Sequence, residues 1–410
     1  MASQLLTISM ITKEALAVLE NNLVLAKAVN RQYDNKFALD GAKIGTTVNL
    51  RKPPRYNVTS GPALQVQDSV ETYVPLTLTN QDHVDIAFST QDLTLNIDEF
   101  SKRFLNPALA ALANKVDYNV GQLYSKVFNM VGTPGTVPAT AAAALAVRQR
   151  LNEESAPMDQ DRALIVNPAS EAGVVGGLTN LFNPAGTISR QFTNGAMGDN
   201  TLGFNWAMSQ NVPVHTYGTS TSAANPTTNG AQAGGTTPAS DATTGFNLTV
   251  NAITGTITKG TVVTLSNVFA VNPQNRSSTG TLRQFVVTAD VAASATTIPI
   301  YPVPIFSGQF QNVTSTTGNI ASGATVTLPN ATGSLAHAQN IGLHKDAFAL
   351  ATADLVMPGG VDMAGRENYK GISMRFVRQY DINTDRLIAR LDVLYGVQAI
   401  YPELACRLTS

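Results

Sequence analysis

NPALAALANKVDYNVGQLYSKVFNMV, residues 106–131, is the stretch on which the architecture turns. Asn106 followed by Pro107 is a helix start, an N-cap residue ahead of a proline at the first helical position. Leu109, Leu112, Ala113, Val116, Val120, Leu123, Val127 and Met130 then recur at helical spacing in one stripe. Gly132 and Pro134 stop it. The spacing predicts a helix from Pro107 to Val131, about 37 Å long. That is far above the usual ~11–12 residues, so the segment reads as a spine for the fold.

On the N-terminal side, residues 44–52 alternate apolar and polar, a Pro/Gly-rich loop runs from Pro53 to Gln67, and 70–78 alternates again. Asn80-Gln81 is expected to turn the chain into a third strand through Val84, Ile86 and Phe88. A nine-residue strand spans ~30 Å. Together these pieces predict a long projecting β-arm. Residues 9–30 read as an amphipathic helix that must dock on something to bury its stripe.

On the C-terminal side, the sequence predicts an Ala-rich helix at 139–152, a short buried strand at 162–166, mixed helices and loops over 167–217, and a strand near 212–217. The composition then changes. The chain has 27 Lys and Arg and 28 Asp and Glu, but residues 218–340 hold only Asp241, Lys259, Arg276, Arg283 and Asp290. The start of this stretch, 218–244, is low-complexity and expected to be a flexible loop. From Phe246 onward, short alternating runs separated by turn residues predict a small all-β barrel or sandwich. After 341 the mixed character returns. SMRFVRQYDI and DRLIARLDVLYGV flank Asn383-Thr384 as a hairpin with Leu387, Ala389, Leu391, Val393 and Tyr395 on one buried face. The ends of the insert must meet, so 1–217 and 341–410 are expected to form one discontinuous body.

Charged residues are 13% of the 410, and the net charge is −1. An average soluble protein carries ~25%, and a dedicated nucleic-acid binder carries a basic excess. A near-neutral, weakly charged surface resists self-association poorly. The single Cys406 excludes an internal disulfide and a multi-cysteine metal site, and reads as a core residue. No run of 18 apolar residues predicts a membrane span, and the N-terminus does not read as a signal peptide.

Nothing in the sequence spells a reaction. Phosphate-loop, dinucleotide, zinc-protease and nucleophile-elbow motifs are absent. His83 and Asp85 share a strand face, but a solvated edge explains them better than a metal. His344-Lys345-Asp346 reads as a polar turn, Glu153-Glu154 as a solvated helix end, and Trp206 as core or interface. Neither cofactor nor metal nor catalytic residue is expected. The candidate functional residues are those able to pair between copies: Arg51, Lys52 and Arg55 with Asp68, Glu71, Asp82 and Asp85, all expected in the arm.

The order of these pieces resembles the HK97-like major capsid proteins of tailed double-stranded DNA phages, and within them the gene-5 coat family of short-tailed phages with an inserted β-barrel. TVNLRKPPRY (47–56) and VETYVPLTLTN (70–80) resemble the extended loop, and SKRFLNPALAALANKVDYNV (101–120) the spine helix. GTITKGTVVTLSNVFAVNPQNRSSTGTLRQFVV (255–287) resembles the inserted domain. NIGLHKDAFALATADL (340–355) and VRQYDINTDRLIARLDVLYGVQAIYPELACRL (377–408) resemble the return into the body and the C-terminal hairpin.

The resemblance implies an α+β fold: an N-terminal arm (1–42), an extended loop (43–92), a peripheral part with the spine helix (93–135), an axial part with remaining peripheral strands (136–217 and 341–410), and the insert (218–340). It implies a non-enzymatic shell subunit, forming hexamers and pentamers around packaged DNA in the virion. Assembly is expected in the host bacterial cytoplasm with a scaffolding protein, a portal at one vertex and a decoration protein as partners, and no membrane. Five charges in the insert leave little for salt bridges between capsomers. The competing readings are an encapsulin-like cellular compartment shell, a secreted β-rich surface or adhesion protein, and a hydrolase with an added β domain.

Overall fold

The computed structural model describes residues 8–31, 47–56, 68–89, 106–178, 200–329, 333–369 and 371–410, with 58, 61, 62, 64 and 66 between them. The expected strand start at 44–46 and the segment 179–199 lie outside these. The chain divides into two compact units, each assembled from distant stretches: 1–48, 76–120 and 348–398 in the first, 49–75, 121–347 and 399–410 in the second.

In the first unit, helix α1 (Ile8–Asn22) is shorter than the 9–30 expected and gives way to a 3-10 turn at Leu25–Lys27. The cause lies on helix α2 (Asn106–Gly121). Its Asp117, 1% exposed, accepts the backbone N–H groups of Val24, Leu25 and Ala26 at 2.7, 3.3 and 2.9 Å. These three amides are the unpaired donors at the start of the 3-10 turn, and the buried carboxylate that satisfies them turns the chain away from the helix. Burial pushes the Asp117 carboxyl above its ordinary range, and these donors pull it back.

Helix α2 is 16 residues, not 25. At Gly121, a weak helix former, the backbone tightens into a 3-10 turn over Gln122–Lys126 and becomes extended at Val127. The predicted stripe is nevertheless buried from Leu109 to Met130.

Strand β3 (Asn80–Ser89) pairs antiparallel with β18 (Arg386–Ala399) over ten residues. It therefore belongs to a sheet with β15 (Phe348–Ala353), β16 (Met363–Tyr369) and β17 (Ile372–Asp381), in the order β15-β18-β17-β16. Among the described residues the expected three-stranded arm is thus two strands, β1 (Thr47–Lys52) and β2 (Thr72–Thr77). The expected hairpin is present, with Ala389, Leu391, Val393 and Tyr395 buried. Asp392, on the face expected to be outward, is fully buried because Arg375, its cross-strand partner, grips both carboxylate oxygens. Gly396 is required where Thr77 passes: a Cβ there would lie 2.3 Å from the Thr77 carbonyl oxygen.

In the second unit, a sheet runs β4 (Met130–Val131), β19 (Ala405–Thr409), β14 (Ala336–His344), β5 (Arg162–Val166), β6 (Asn205–Met208). β7 (Val214–Thr216) pairs with the start of β14. Helix α3 (Ala141–Glu153) packs Ala144, Val147 and Leu151 into a core with Leu164, Trp206 and Cys406. Cys406 is fully buried, its thiol pushed up to about 12 by desolvation. Helix α4 (Pro168–Leu178) follows β5.

Residues 246–327 form a second sheet, β12 (Val313–Thr314), β9 (Val262–Val271), β10 (Ser278–Val287), β11 (Thr297–Tyr301), β8 (Phe246–Thr249), with β13 (Val326–Thr327) on β9. It has its own apolar core around Leu265, Phe285 and Ile300. The stretch 218–244 is not a free loop. Thr228 and Gln232 bridge to Val250 and Ile320, and Ala242 is buried, because a Thr/Asn-rich segment can satisfy its backbone against neighbouring strands.

Glu154 is also not where its sequence suggested. It lies buried against Arg283 of β10, whose guanidinium rests 4.6 Å from the Phe128 ring. The adjacent Gln284 bonds both the amide and the carbonyl of Met130, at 2.9 and 2.8 Å. Where the chain enters and leaves the 218–335 excursion, His215, Tyr217 and His337 stack edge to face or tilted within 5.7 Å. Burial, with the positive charge of Arg407, holds His215 down to about 3 and His337 to about 4.

Three outcomes are expected. Asp117→Ala leaves three amides unsatisfied and costs roughly 2–4 kcal/mol in denaturant unfolding, with amide exchange rising at 24–26; Asp117→Asn recovers part of it. Glu154→Ala costs ~3–5 kcal/mol by stranding a buried arginine, whereas the Glu154→Met/Arg283→Met pair costs less than either single change. The two histidines are neutral in the fold and bind protons when unfolded below pH ~6.5, so stability holds above that pH and falls towards pH 4. Thermal unfolding across this range is shallower in His337→Phe than in the native chain.

Candidate assembly interface

The arm loop leaves apolar side chains uncovered. Among its described residues, Tyr56, Val58, Leu64 and Val66 are 59, 99, 90 and 82% exposed. Four apolar side chains clustered on one loop exceed the scattered singles that need no explanation. Arg51 and Glu71, on opposite strands of the arm, approach to 3.6 Å with both side chains mostly in solvent. That is a weak pair. Asp68 is exposed and makes no ion pair among the described residues.

The root of the arm is held by the second unit. Lys52 places its ammonium 5.0 Å from the Tyr401 ring centroid, and burial lowers its pKa. Arg55 reaches Glu403 at 3.6 Å. Arg276 donates to the Tyr56 carbonyl at 3.3 Å and to that of Gln309 at 3.2 Å. The Tyr56 and Ser69 hydroxyls, on the two sides of the loop, are 3.1 Å apart.

The structure does not bring all seven candidate residues together. Arg51, Lys52, Arg55, Asp68 and Glu71 share the arm, whereas Asp82 and Asp85 stand on β3 in the sheet of the first unit. Asp82 accepts hydrogen bonds from Tyr395 and Asn119 there. That carboxylate and burial together push the Tyr395 hydroxyl above its ordinary range. Asp85 lies 3.0 Å from His83 and 3.9 Å from Arg390. The residues missed in the sequence are Glu154, Arg283, Tyr401 and Glu403. Nothing local marks them, since each matters only through a partner at least 120 residues away or across the arm root.

Four of the insert's five charges are engaged inside the subunit. Arg283 pairs with Glu154. Arg276 holds the arm root. Asp241 accepts from Thr243 and Thr244, and Asp290 from the Lys259 amide. His344 is a buried polar turn residue bonded to Asp159 at 3.1 Å. Among the described residues no cluster of three or more His, Cys, Asp or Glu could hold a metal, and no helix is long and apolar enough to cross a membrane.

No curated protein matches the sequence. Solved structures that resemble the chain include one from Mycobacterium phage Che8 (13% identity, TM-score 0.48, 94% of this chain and 90% of that one). Another is the asymmetric unit of the bacteriophage PhiM1 mature capsid (9% identity, TM-score 0.41, 89% and 82%). A third is a virus-like particle from Pyrococcus furiosus (8% identity, TM-score 0.38, 97% and 96%). The sequence profile described as "P22 coat protein - gene protein 5" matches residues 1–409. The chain belongs to the P22 coat protein family and is an α+β major capsid protein, a structural protein of a phage shell.

Proposed function

We propose that the chain closes an icosahedral shell as hexamers and pentamers around packaged double-stranded DNA, each arm lying over an adjacent subunit. The exposed apolar arm tip, Val58, Leu64 and Val66, carries this reading: it gains little from its own subunit and would be buried by a second. Arg51, Lys52 and Arg55 supply the basic side of that contact, with Asp68, Glu71, Asp82 and Asp85 of neighbouring copies as acidic partners.

The parts divide as arm (1–42), extended loop (43–92, with its last strand β3 paired into the β18 sheet), peripheral part with the spine helix (93–135), axial and remaining peripheral part (136–217 and 341–410) and insert (218–340). A scaffolding protein guides assembly in the host cytoplasm, a portal occupies one vertex, and a decoration protein can cover the shell. With the insert's charges engaged internally, its outward contacts rest on hydroxyl, amide and apolar groups. A net charge of −1 makes inner-surface contact with DNA weak and independent of sequence. Each interface is modest alone, and closure adds them.

A subunit lacking residues 53–68 is expected to remain folded by circular dichroism yet to yield no closed shells in electron microscopy. A Leu64→Asp/Val66→Asp variant, which keeps the arm root intact, does the same at ordinary protein concentrations. Normal shells from both variants would remove the arm from the assembly contacts.

A further inference from the structure

A partly enclosed cavity of about 190 Å3 lies at the arm root in the second unit. Its walls mix apolar residues, Pro53, Pro54, Tyr301, Phe310 and Tyr401 among them, with charged ones. Its polar groups do not balance. Arg55 is matched with Glu403 and Arg283 with Glu154, but Lys52 has a ring face and no hydrogen bond among the described residues. The Nε of Arg283, a side chain 95% buried by its 5% exposure, also has no acceptor. A buried donor without an acceptor is costly, and an occupant that brought a carboxylate would relieve it. The cavity therefore calls for a small apolar knob with an acid beside it.

The chain itself presents such a knob. Ile382, at the turn joining β17 to β18, is 81% exposed, with Asp381 before it and Asp385 three residues after. The turn is already fixed in shape. Asp381 accepts the Asn383 amide at 3.0 Å and the Thr384 hydroxyl at 2.8 Å, and the Tyr380 hydroxyl donates to Asp385 at 2.9 Å. The Asp381 carboxylate can accept a further donor beside these two. A preformed turn loses little freedom on docking. Val66 in the arm, near the exposed Asp68, is the rival knob that the test below separates; Met158 and Val356 fit less well because their neighbouring acids already face a basic side chain. Met158 neighbours Asp159, whose carboxylate is held by His344. Val356 follows Asp354, which is held by Ser373 and Arg366.

We propose that the cavity at the arm root is a socket for the Ile382 turn of a second copy, with an aspartate of that turn meeting Lys52 at the rim. The inference rests on the self-association proposed above and adds a particular contact to it. Occupancy would fix the arm root, because the same walls hold Pro53 and Pro54.

The test is a mixed assembly. Ile382→Cys chains and Gln311→Cys chains, Gln311 being a cavity-lining residue without a strong partner, are co-assembled in equal amounts and oxidised mildly. The expected result is a band of twice the chain mass on a non-reducing denaturing gel, absent from shells of either variant alone. Intact mixed shells without that band overturn the socket while leaving self-assembly standing. A dimer band from Ile382→Cys alone also overturns it, since the turn then meets itself. A stronger band between Gln311→Cys and Leu64→Cys chains overturns it in favour of the arm tip. Should the cysteine chains not assemble, Ala239→Leu, which fills the cavity from its wall, gives the second reading. The expected effect is a roughly tenfold rise in the concentration needed for half-maximal assembly, with unchanged thermal unfolding. An unchanged assembly concentration overturns the socket.

Discussion

Arg407 is 1% exposed and pairs with no carboxylate among the described residues. Its guanidinium is held by backbone: the Val127 carbonyl accepts two of its N–H groups and the Gly260 carbonyl a third. The Tyr124 ring lies 5.5 Å away. A cation buried on neutral dipoles is costly unless every donor is used, and burial holds it down to about 10. What it gains is connection. One side chain on β19 touches the end of the spine segment and the turn before β9. The extended backbone at Val127, which ends the spine early, presents the carbonyl that Arg407 needs. The nearby histidines are kept neutral first by burial, and the Arg407 charge adds to it, since a protonated ring there would face a second buried cation.

That arrangement also explains how a long insertion is tolerated. The chain leaves the body at β7 and returns at the start of β14, and these strands pair directly, with His215 opposite His337. Tyr217 donates its amide to the Leu335 carbonyl, and Ser334 donates to that of Gly218. A loop closed at its base adds little entropy per added residue, so residues 218–335 can fold around their own core. The clasp at Arg283, Gln284 and Met130 then ties that sheet to the segment Arg407 has already fixed.

Much of this was legible locally. The helix start at Asn106-Pro107, the apolar stripe to Met130, the Ala-rich helix, the RALIV strand and the 377–395 hairpin follow from spacing, although the Asn106 Oδ1 expected to cap the helix accepts no hydrogen bond among the described residues. What was not legible depends on partners far away in sequence. The alternation of 80–89 announces a strand but not its neighbour, and β18, some 300 residues on, offered a longer register than β2. The spine's apolar period continues past Gly121 because 3-10 and extended backbone can keep the same side chains inside, so periodicity could not mark the helix end. Glu154 and Asp392 look solvated because a charge reads as exposed until its arginine is known. Of the seven candidate contact residues, five lie along 51–71, whereas Asp82 and Asp85 stand on β3, whose pairing with β18 no local signal announces.

The low charge takes on a specific meaning in this light. A protein with few charges can keep them at the surface for solubility or place them inside for specificity. Here Arg283 with Glu154 joins distant segments, Arg375 with Asp392 joins the two strands of one hairpin, and Arg407 is held by backbone carbonyls; at each, a misplaced neighbour leaves a buried charge unsatisfied and is heavily penalised. Those residues specify one arrangement of the chain at the expense of surface repulsion between copies. In an isolated monomer that would be a liability, since a neutral surface with an exposed apolar arm invites association. In a coat protein, weak mutual repulsion lowers the barrier to packing many copies edge to edge. The internal charges keep each copy in one shape while it does so.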